Sequence, residues 1–324
     1  MSKILVTGAS GFIGFKLSKK LINLNRDIRI AARNINKTFD IDINEKFSIG
    51  NIDKKTNWKN SLSNVKCIIH CAGIADNVNL TKKIDIYRSV NIDGTKNLAE
   101  QAASEGVKRF IFLSSIKVNG ENSKIIANQK KNESQIIDKF TNDHLPNPQD
   151  LYAISKFEAE KALWDVAIET GLEIVIVRPP LVYGYGAKGN LSRLIKFIKS
   201  GIPLPLSLIK NHRSMIGIDN LVDLLNQCID HPDANGKIFL ASDDKDLSTP
   251  DFIKLIASSM GRKASLFPVP LSLLKFIGSV FGRSNEINRL VGSLRVDSSY
   301  TKETLNWTPP LSVEEGIRRM VQGK

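Results

Sequence analysis

The chain has 324 residues, which corresponds to about two domains and allows a sizeable core to form without disulfides or metals. Hydrophobic residues make up 42% of the chain and charged residues 24%, so the composition excludes a disordered protein, a collagen and a coiled coil. The net charge of +13 favours an anionic partner, but the lysines are dispersed without interleaved aromatic residues, so we expect no nucleic-acid binding.

Short apolar runs alternate with longer segments of helical periodicity through the first half of the chain. This alternation predicts an α/β fold, a doubly wound parallel-sheet (Rossmann) domain with helices on both faces. The predicted strands are Ile4–Thr7, Ile28–Ala32, Phe47–Gly50, Cys67–His70, Arg109–Ser114 and Ile174–Arg178. The predicted helices are Phe12–Leu24, Tyr87–Glu105 and Pro148–Glu169.

After Pro179 and Pro180 the pattern changes to shorter helices with proline-rich connections. The segment 213–228 is typical of a strand and a helix that return to the first sheet. We therefore expect a Rossmann domain of residues 1–183 and 212–240 and a smaller, interrupted α/β substrate domain of residues 184–211 and 241–324.

The chain begins directly with a strand, so we expect no export signal and a cytoplasmic protein. Three cysteines, Cys67, Cys71 and Cys228, are typical of reduced core thiols, and no cluster has the spacing of a metal site. Prolines and a lysine interrupt the longest apolar stretch, 266–281, so we expect no membrane span.

A possible helix at the end of that stretch carries an apolar stripe of Leu271, Leu274, Ile277, Gly278 and Phe281. Such a stripe fits attachment to a membrane surface, but core packing is its commoner fate, and we expect core packing here.

A glycine-rich turn follows the first strand and opens the first helix, which is the setting in which backbone N–H groups bind a pyrophosphate. Gly8 permits the tight turn, Gly11 lets the backbone approach the phosphates, and Gly14 lets helix and strand pack closely. The predicted cofactor contacts of this turn are Gly8, Ser10, Gly11, Phe12, Ile13 and Gly14.

The second strand ends in Ala32, Arg33 and Asn34, without the carboxylate that binds both ribose hydroxyls of NAD. Because a guanidinium pairs well with a 2′-phosphate, we expect NADP(H) to be preferred, with NAD(H) also accepted. The alternative is an ordinary surface arginine.

Tyr152 and Lys156 are spaced to lie on one face of the predicted third helix. A nearby ammonium favours a phenolate and lowers the pKa of a tyrosine, so Tyr152 is the candidate acid/base and Lys156 its partner and ribose ligand. Ser115, after the fifth strand, is the candidate hydroxyl that binds the substrate oxygen.

These motifs resemble the extended short-chain dehydrogenase/reductases of the nucleotide-sugar epimerase/dehydratase family. The resemblance spans nearly the whole chain and includes four further segments: His70–Gly73, Asn91–Thr95, Ser114–Gly120 and Arg178–Gly184. The segment 114–121 is also similar to the branch of the UDP-N-acetylquinovosamine dehydrogenases, 4-ketoreductases of O-antigen sugar synthesis, beside UDP-glucose 4-epimerase-like members.

The resemblance implies roles for residues that the patterns alone do not assign. It implies Ser115, Tyr152 and Lys156 as catalytic. It implies further cofactor contacts at Asn51, Ile52, Ala72, Gly73, Asn91, Pro179 and Val182. It implies a nucleotide-sugar substrate, a UDP-sugar, bound by Ser115, Lys117, Asn190, Leu191 and Arg213, and it leaves a homodimer open.

Four positions depart from the family pattern. Asn51 replaces an aspartate and Asn119 a tyrosine, and the acidic pair that dehydratases carry after the catalytic hydroxyl residue is Ile116 and Lys117. Dehydration is therefore excluded for want of an acid at the leaving hydroxyl. Lys117 is either a substrate contact or a solvated lysine.

Two enzymatic functions fit these residues: reduction of a UDP-4-keto-sugar and 4-epimerisation of a UDP-hexose or UDP-N-acetylhexosamine. Arg33 and the segment 114–121 favour the reductase, which draws on NADPH. A non-catalytic dinucleotide-binding module is a third option, and the intact Ser115, Tyr152 and Lys156 argue against it.

Overall fold

The computed structural model describes residues 3–35, 41, 43, 45–75, 83–123, 125–126 and 136–323. Its strands are β1 (Lys3–Thr7), β2 (Ile28–Ala32), β3 (Lys46–Ser48), β4 (Val65–His70), β5 (Arg109–Leu113), β6 (Ile125–Ile126), β7 (Ile136–Ile137), β8 (Glu173–Arg178), β9 (Leu181–Tyr183), β10 (Met215–Gly217) and β11 (Lys237–Leu240).

The helices begin with α1 (Phe12–Asn23), α2 (Lys59–Leu62), α3 (Lys83–Tyr87), α4 (Gly94–Ser104), α5 (Leu151–Thr170) and α6 (Asn190–Lys199). They continue with α7 (Ile218–Asp230), α8 (Thr249–Ser259), α9 (Leu271–Val280), α10 (Ser284–Val291), α11 (Ser299–Leu305) and α12 (Val313–Gln322). A π-helical segment, Arg88–Asp93, joins α3 to α4.

Seven parallel strands form the main sheet in the order β11-β8-β5-β4-β1-β2-β3. Its strands are almost continuously apolar because helices cover both faces. One face packs against α1 and α7, and the other against α4 and α5. The predicted doubly wound Rossmann fold is confirmed.

The chain order reverses between β4 and β1, so the strands leave a crevice at their carboxyl ends there. The predicted turn after Thr7, the end of β4 at His70 and the end of β5 at Leu113 all reach this edge. The edge is where ligands bind in open α/β sheets.

A separate apolar cluster lies beyond the main sheet. It takes residues from α6, α8 and α12, including Leu191, Ile256 and Ile317. The division into two domains at the boundaries given above stays a prediction.

One expectation about the second half of the chain is wrong. The strand after Arg213 does not join the main sheet, since Met215–Gly217 pairs with Leu181–Tyr183 instead. The following helix, α7, does return to the main sheet as predicted, and the sheet has a seventh strand, Lys237–Leu240, that was not predicted.

The predicted core packing of the apolar stripe is also wrong for most of its residues. Leu274 and Gly278 are buried, but Leu271, Ile277 and Phe281 are 44%, 42% and 73% exposed. Among the described residues, no helix is long and apolar enough to cross a membrane. All three cysteines are free thiols, and Cys67 and Cys228 are buried, as predicted.

Candidate active site

The turn after β1 leaves no room for side chains at two of its glycines. Gly8 has a φ of +69°, and a Cβ there would lie 2.7 Å from the Ala72 backbone nitrogen. A Cβ on Gly14 would lie 2.4 Å from the Gly8 carbonyl oxygen. The sequence therefore needs glycine at both positions, to bring β1, β4 and α1 together.

Helix α1 begins at this turn with its N-terminal N–H groups toward the crevice. Its N-cap is Gly11, which supplies no capping side chain, and the first turn contains no acidic residue. Such a terminus favours an anion. The residues present thus fit the pyrophosphate of a dinucleotide.

A buried histidine holds the strands together beneath the crevice. His70 Nδ1 lies 2.7 Å from the Thr7 hydroxyl, and Nε2 lies 3.1 Å from the hydroxyl of Thr95 on α4. Burial lowers the pKa of His70 to about 3, with a smaller effect from the charge of Lys156. The ring is therefore neutral at physiological pH and serves as a fixed hydrogen-bonding link.

The three predicted catalytic residues meet at the ends of β5 and α5. Ser115 is 9% exposed and caps the short 3-10 helix that follows β5. Tyr152 and Lys156 lie one turn apart at the start of α5, and the Lys156 ammonium donates to the Leu113 carbonyl at 2.8 Å. The same ammonium lies 4.4 Å from the centre of the Phe112 ring.

The expectation that Lys156 lowers the pKa of Tyr152 is wrong for this arrangement. Burial raises the pKa of Tyr152, while a hydrogen bond with Ser115 acts in the opposite direction. The reason is that the Lys156 ammonium is directed at Leu113 rather than at the phenol. Burial also lowers the pKa of Lys156 to about 8.

Asn91 fixes the start of α5 from the π-helical segment. Its side-chain amide donates to the Ser155 hydroxyl at 2.9 Å and to the Ile74 carbonyl at 3.0 Å, and its oxygen accepts from the Ile74 N–H at 2.8 Å. Ser155 in turn donates to the Tyr152 carbonyl at 2.8 Å. A Cβ on Gly73 would lie 3.2 Å from the Asn91 oxygen and 3.4 Å from Lys156 Nζ.

A buried ion pair that sequence reasoning missed holds the segment after β5, which carries Ser115, against α5. Arg178 binds Glu160 of α5 through Nε and Nη2, at 3.0 and 2.5 Å, and Glu160 accepts from Ser114. Arg178 also donates to Asn119 at 3.0 Å, so the asparagine that replaces the family's tyrosine has a structural role. The residues of this network are distant in sequence, so no local signal could have found it.

Lys117 is not simply solvated. Its ammonium lies 2.5 Å from Asp150 and 3.2 Å from Glu121, and Arg289 of α10 contacts the same two carboxylates at 3.1 and 2.7 Å. Asp150 also caps α5 by accepting from the Ala153 N–H at 2.7 Å. Burial alone would raise the pKa of Asp150, but the hydrogen bond from Lys117 and the neighbouring positive charges lower it overall.

The remaining predicted cofactor residues are spread along the same edge of the sheet. Arg33 is exposed after β2, Asn51 is exposed after β3, and Ile52 is buried against Gly94 of α4. Pro179 lies beside the catalytic loop, because its carbonyl accepts from the Ile116 N–H at 3.0 Å, and Val182 is half-buried in β9.

The predicted substrate contacts beyond β9 are more dispersed. Asn190, at the start of α6, accepts from Arg193 on its own helix, and Leu191 is buried in the second apolar cluster. Arg213 donates to the carbonyls of Arg289 and Gly292 at 2.6 and 3.1 Å. Arg289 therefore links Arg213 to the carboxylates around Lys117.

A dinucleotide crevice with a serine, tyrosine and lysine at its edge defines the extended class of short-chain dehydrogenase/reductases. The chain belongs to the NAD dependent epimerase/dehydratase family, which it matches over residues 4–241.

Known proteins similar over the full length extend this assignment. The chain is 41% identical to a UDP-glucose 4-epimerase of Vibrio cholerae, over 98% of this chain and 94% of that protein. It is 24% identical to the N-acetyl-alpha-D-glucosaminyl-diphospho-ditrans,octacis-undecaprenol 4-epimerase of Escherichia coli O157:H7, with the same coverage. The crystal structure of UDP-glucuronic acid 4-epimerase from Bacillus cereus with NAD has a TM-score of 0.77 at 20% identity and covers 99% of this chain and 97% of that one.

Proposed function

We propose that the protein is a 4-epimerase of a UDP-linked hexose, the alternative to the ketoreductase that Arg33 and segment 114–121 favoured. The observation that carries the proposal is the placement of Ser115, Tyr152 and Lys156 at the edge of a dinucleotide crevice. The similarity to the Vibrio cholerae epimerase supports this outcome over reduction.

The reaction needs a group that transfers one proton at the sugar O4 while a hydride is transferred at C4. Tyr152, in its phenolate form, takes the proton of the sugar O4 hydroxyl, and Ser115 hydrogen-bonds that oxygen. The glycine turn and Lys156 would hold NAD(H), which would supply the hydride acceptor and donor at C4. Tyr152 gives its proton back to O4 at the end of the cycle, so the protons balance.

The phenolate form requires a lower pKa than the free chain gives Tyr152. Lys156 is within one helical turn, and its ammonium can leave the Leu113 carbonyl when ribose hydroxyls and the phenol offer it partners. Ser115 already lowers the pKa of the phenol through its hydrogen bond. The site is therefore completed by the ligands that it binds.

Elimination of water has no support at this site. Position 116 holds a buried isoleucine, and Lys117 is engaged by Asp150 and Glu121. Neither residue can protonate a leaving hydroxyl as a carboxylic acid does. We assign to the site a reaction that conserves all the atoms of its sugar.

The choice of dinucleotide follows from the proposed reaction. An epimerase returns its hydride and gains nothing from the NADPH pool, so we propose NAD(H) as the resident dinucleotide, with NADP(H) admitted by Arg33. The dinucleotide released from denatured protein identifies it directly.

The test is the stoichiometry of the hydride. UDP-glucose and UDP-galactose, or their N-acetyl forms, should interconvert without a net change in nicotinamide absorbance. Tyr152→Phe should lose this activity by about 10²- to 10⁴-fold while it retains the dinucleotide. One-to-one oxidation of NADPH by a UDP-4-keto sugar, without interconversion of the 4-hydroxyl pair, would establish the reductase instead.

A further inference from the structure

Helix α9 exposes a continuous set of large apolar side chains. Only Leu274 and Gly278 of the helix are buried, and Gly278 lies so close to α10 that a Cβ there would be 2.6 Å from Ile287 Cγ1. The apolar face consists of Phe267, Leu271, Leu273, Phe276, Ile277, Val280 and Phe281, which are 40% to 73% exposed. An exposed set of this many aromatic and aliphatic side chains is typical of a surface that a membrane or another molecule covers.

The charges around the apolar face are mostly positive, and the two acidic residues at its margins, Asp251 and Glu286, pair with Lys254 at 3.2 Å and with Arg283 at 3.8 Å. Residues 252–285 contain five lysines and arginines and no aspartate or glutamate. The basic side chains are Lys254, Arg262, Lys263, Lys275 and Arg283. All five are exposed, and Arg262, Lys263 and Lys275 are the three outside those two ion pairs.

A second segment extends this surface with the same chemistry. The Arg262 guanidinium donates to the Lys199 carbonyl at 2.5 Å, and the Ser207 N–H donates to the Phe267 carbonyl at 3.3 Å. The adjoining segment, 190–213, also lacks acidic residues. It exposes Phe197, Ile202 and Leu208 beside Lys196, Lys199 and Lys210.

We propose that the apolar face is a membrane-contact surface that takes an anionic phospholipid bilayer. Its apolar side chains insert at the boundary of headgroups and acyl chains, and the basic side chains around them bind the lipid phosphates. The charge pattern decides between this occupant and a second copy of the chain, because a symmetric dimer would bring two basic rims together. Asp251 and Glu286 offset only two of the basic side chains, Lys254 and Arg283, so that repulsion remains.

The position of the face relates it to the active site. Helix α10, on which α9 packs, carries Arg289, whose guanidinium contacts Asp150 at the start of the catalytic helix. A bilayer against α9 would therefore lie one helix away from the edge that carries Tyr152.

The test is co-sedimentation of the full chain with vesicles. Vesicles of equal parts phosphatidylcholine and phosphatidylglycerol should bind the protein, and vesicles of phosphatidylcholine alone should bind it at least ~10-fold more weakly. Added salt should weaken binding to the anionic vesicles, because the lysines and arginines are solvent-exposed.

Matched variants localise the binding to this face. Phe276→Ser combined with Val280→Ser and Phe281→Ser should reduce vesicle binding at least ~10-fold. Leu145→Ser combined with Ile168→Ser is the control, because these residues are 86% and 84% exposed and lie outside the face. Both variants should keep the epimerase activity of the unchanged chain on a UDP-hexose, which shows that they fold.

Three results would overturn the proposal. One is failure of the unchanged chain to bind anionic vesicles, and another is an equal loss of binding in the two variants. The third is a shift from dimer to monomer in the α9 variant, measured by light scattering, with vesicle binding unchanged. That result would assign the face to a second copy of the chain. None of these results bears on the epimerase reaction, which is measured without lipid.

Discussion

Lys156 is a candidate catalytic residue whose buried charge lowers the stability of the folded protein. It is 5% exposed and has the Leu113 carbonyl and the Phe112 ring as partners, and no carboxylate among the described residues forms an ion pair with it. Burial lowers its pKa to about 8. The unfolded chain holds the same proton near pKa 10.4, so the protein is destabilised wherever Lys156 is charged.

We therefore expect Lys156→Met to abolish epimerisation and yet raise the free energy of unfolding, by up to about 3 kcal/mol at neutral pH. Below pH 8 both states carry the charge and the penalty is complete. As pH rises from about 8 toward 10.4 the folded state loses the proton first, and the advantage of the variant shrinks.

Urea unfolding of both proteins at pH 7 and at pH 9.5 measures the difference. Lys161→Met, at an exposed position on the same helix, is the control and should show little change at either pH. An advantage for the Lys156 variant that grows with pH would contradict the argument.

Arg33 offers the second prediction about a single side chain. It is exposed after β2, in the place where a carboxylate selects NAD. Arg33→Ala should weaken NADP(H) binding ~10- to 100-fold and leave NAD(H) nearly unchanged, because only the 2′-phosphate is a partner of the guanidinium. Titration of both dinucleotides by fluorescence separates this outcome from equal losses, which would show that Arg33 does not bind the 2′-phosphate, and from no loss, which would make it an ordinary surface residue.

Sequence reasoning found the residues whose motifs are local and missed those that act across the fold. Tyr152 and Lys156 share one turn of helix, so their spacing was visible. Asp150 was open to prediction as an N-cap, because it directly precedes α5, but its contact with Lys117 required the structure. The pair of Glu160 and Arg178 had no local signal at all.

At the level of elements, the glycine turn is where the backbones of β1, α1 and the residue after β4 pack directly against one another, without side chains between them. Gly8, Gly14 and Ala72 bring two strands and a helix within van der Waals distance. A methyl group at position 14 would meet the Gly8 carbonyl at 2.4 Å, and because the contact is with backbone atoms, the turn or the helix must shift to relieve it.

Gly14→Ala should therefore reduce dinucleotide affinity at least ~10-fold, because the N–H groups at the start of α1 are pushed out of position. Gly171→Ala is the matched control. Gly171 caps α5 at a φ of +75° with open space around its Cα, so alanine there should cost about 1 kcal/mol of stability and no affinity. Isothermal titration with NAD(H) and thermal unfolding measure both effects, and a reversed ranking would show that the turn does not cradle the phosphates.

Six of the seven strands of the main sheet agree with the predicted ones to within two residues, because a run that is apolar throughout is a strong strand signal. The errors occur where pairing decides the structure. Met215–Gly217 has only three residues, and the partner that it chooses is Leu181–Tyr183 rather than the main sheet. The π-helical turn at Arg88–Asp93 likewise has no periodicity distinct from the helices around it.

At the scale of the whole molecule, a cluster of four charged side chains connects α10 to the start of α5, the helix that carries Tyr152. Arg289 of α10 reaches Asp150 and Glu121, which also bind Lys117. The Arg289 carbonyl accepts from Arg213, the predicted phosphate ligand. The geometry of the substrate side is therefore coupled to the catalytic helix through this one arginine.

Arg289→Gln should loosen that coupling while it leaves the dinucleotide crevice intact. Each of its ion pairs is exposed on one side and contributes at most about 1 kcal/mol, so we expect the KM for the UDP-hexose to rise ~3- to 10-fold. The affinity for NAD(H) should stay unchanged, because the glycine turn and α1 have no contact with the cluster among the described residues.

Arg283→Gln is the control for this variant, since its partner is Glu286 on the same short helix, at 3.8 Å. It removes the same charge from the same region and should leave the KM within about twofold of the unchanged chain. Steady-state kinetics with each UDP-hexose, and dinucleotide titration beside them, give both quantities. A fall in kcat at constant KM would place Arg289 in the alignment of Tyr152 through Asp150, rather than in the closure of the substrate side over the site.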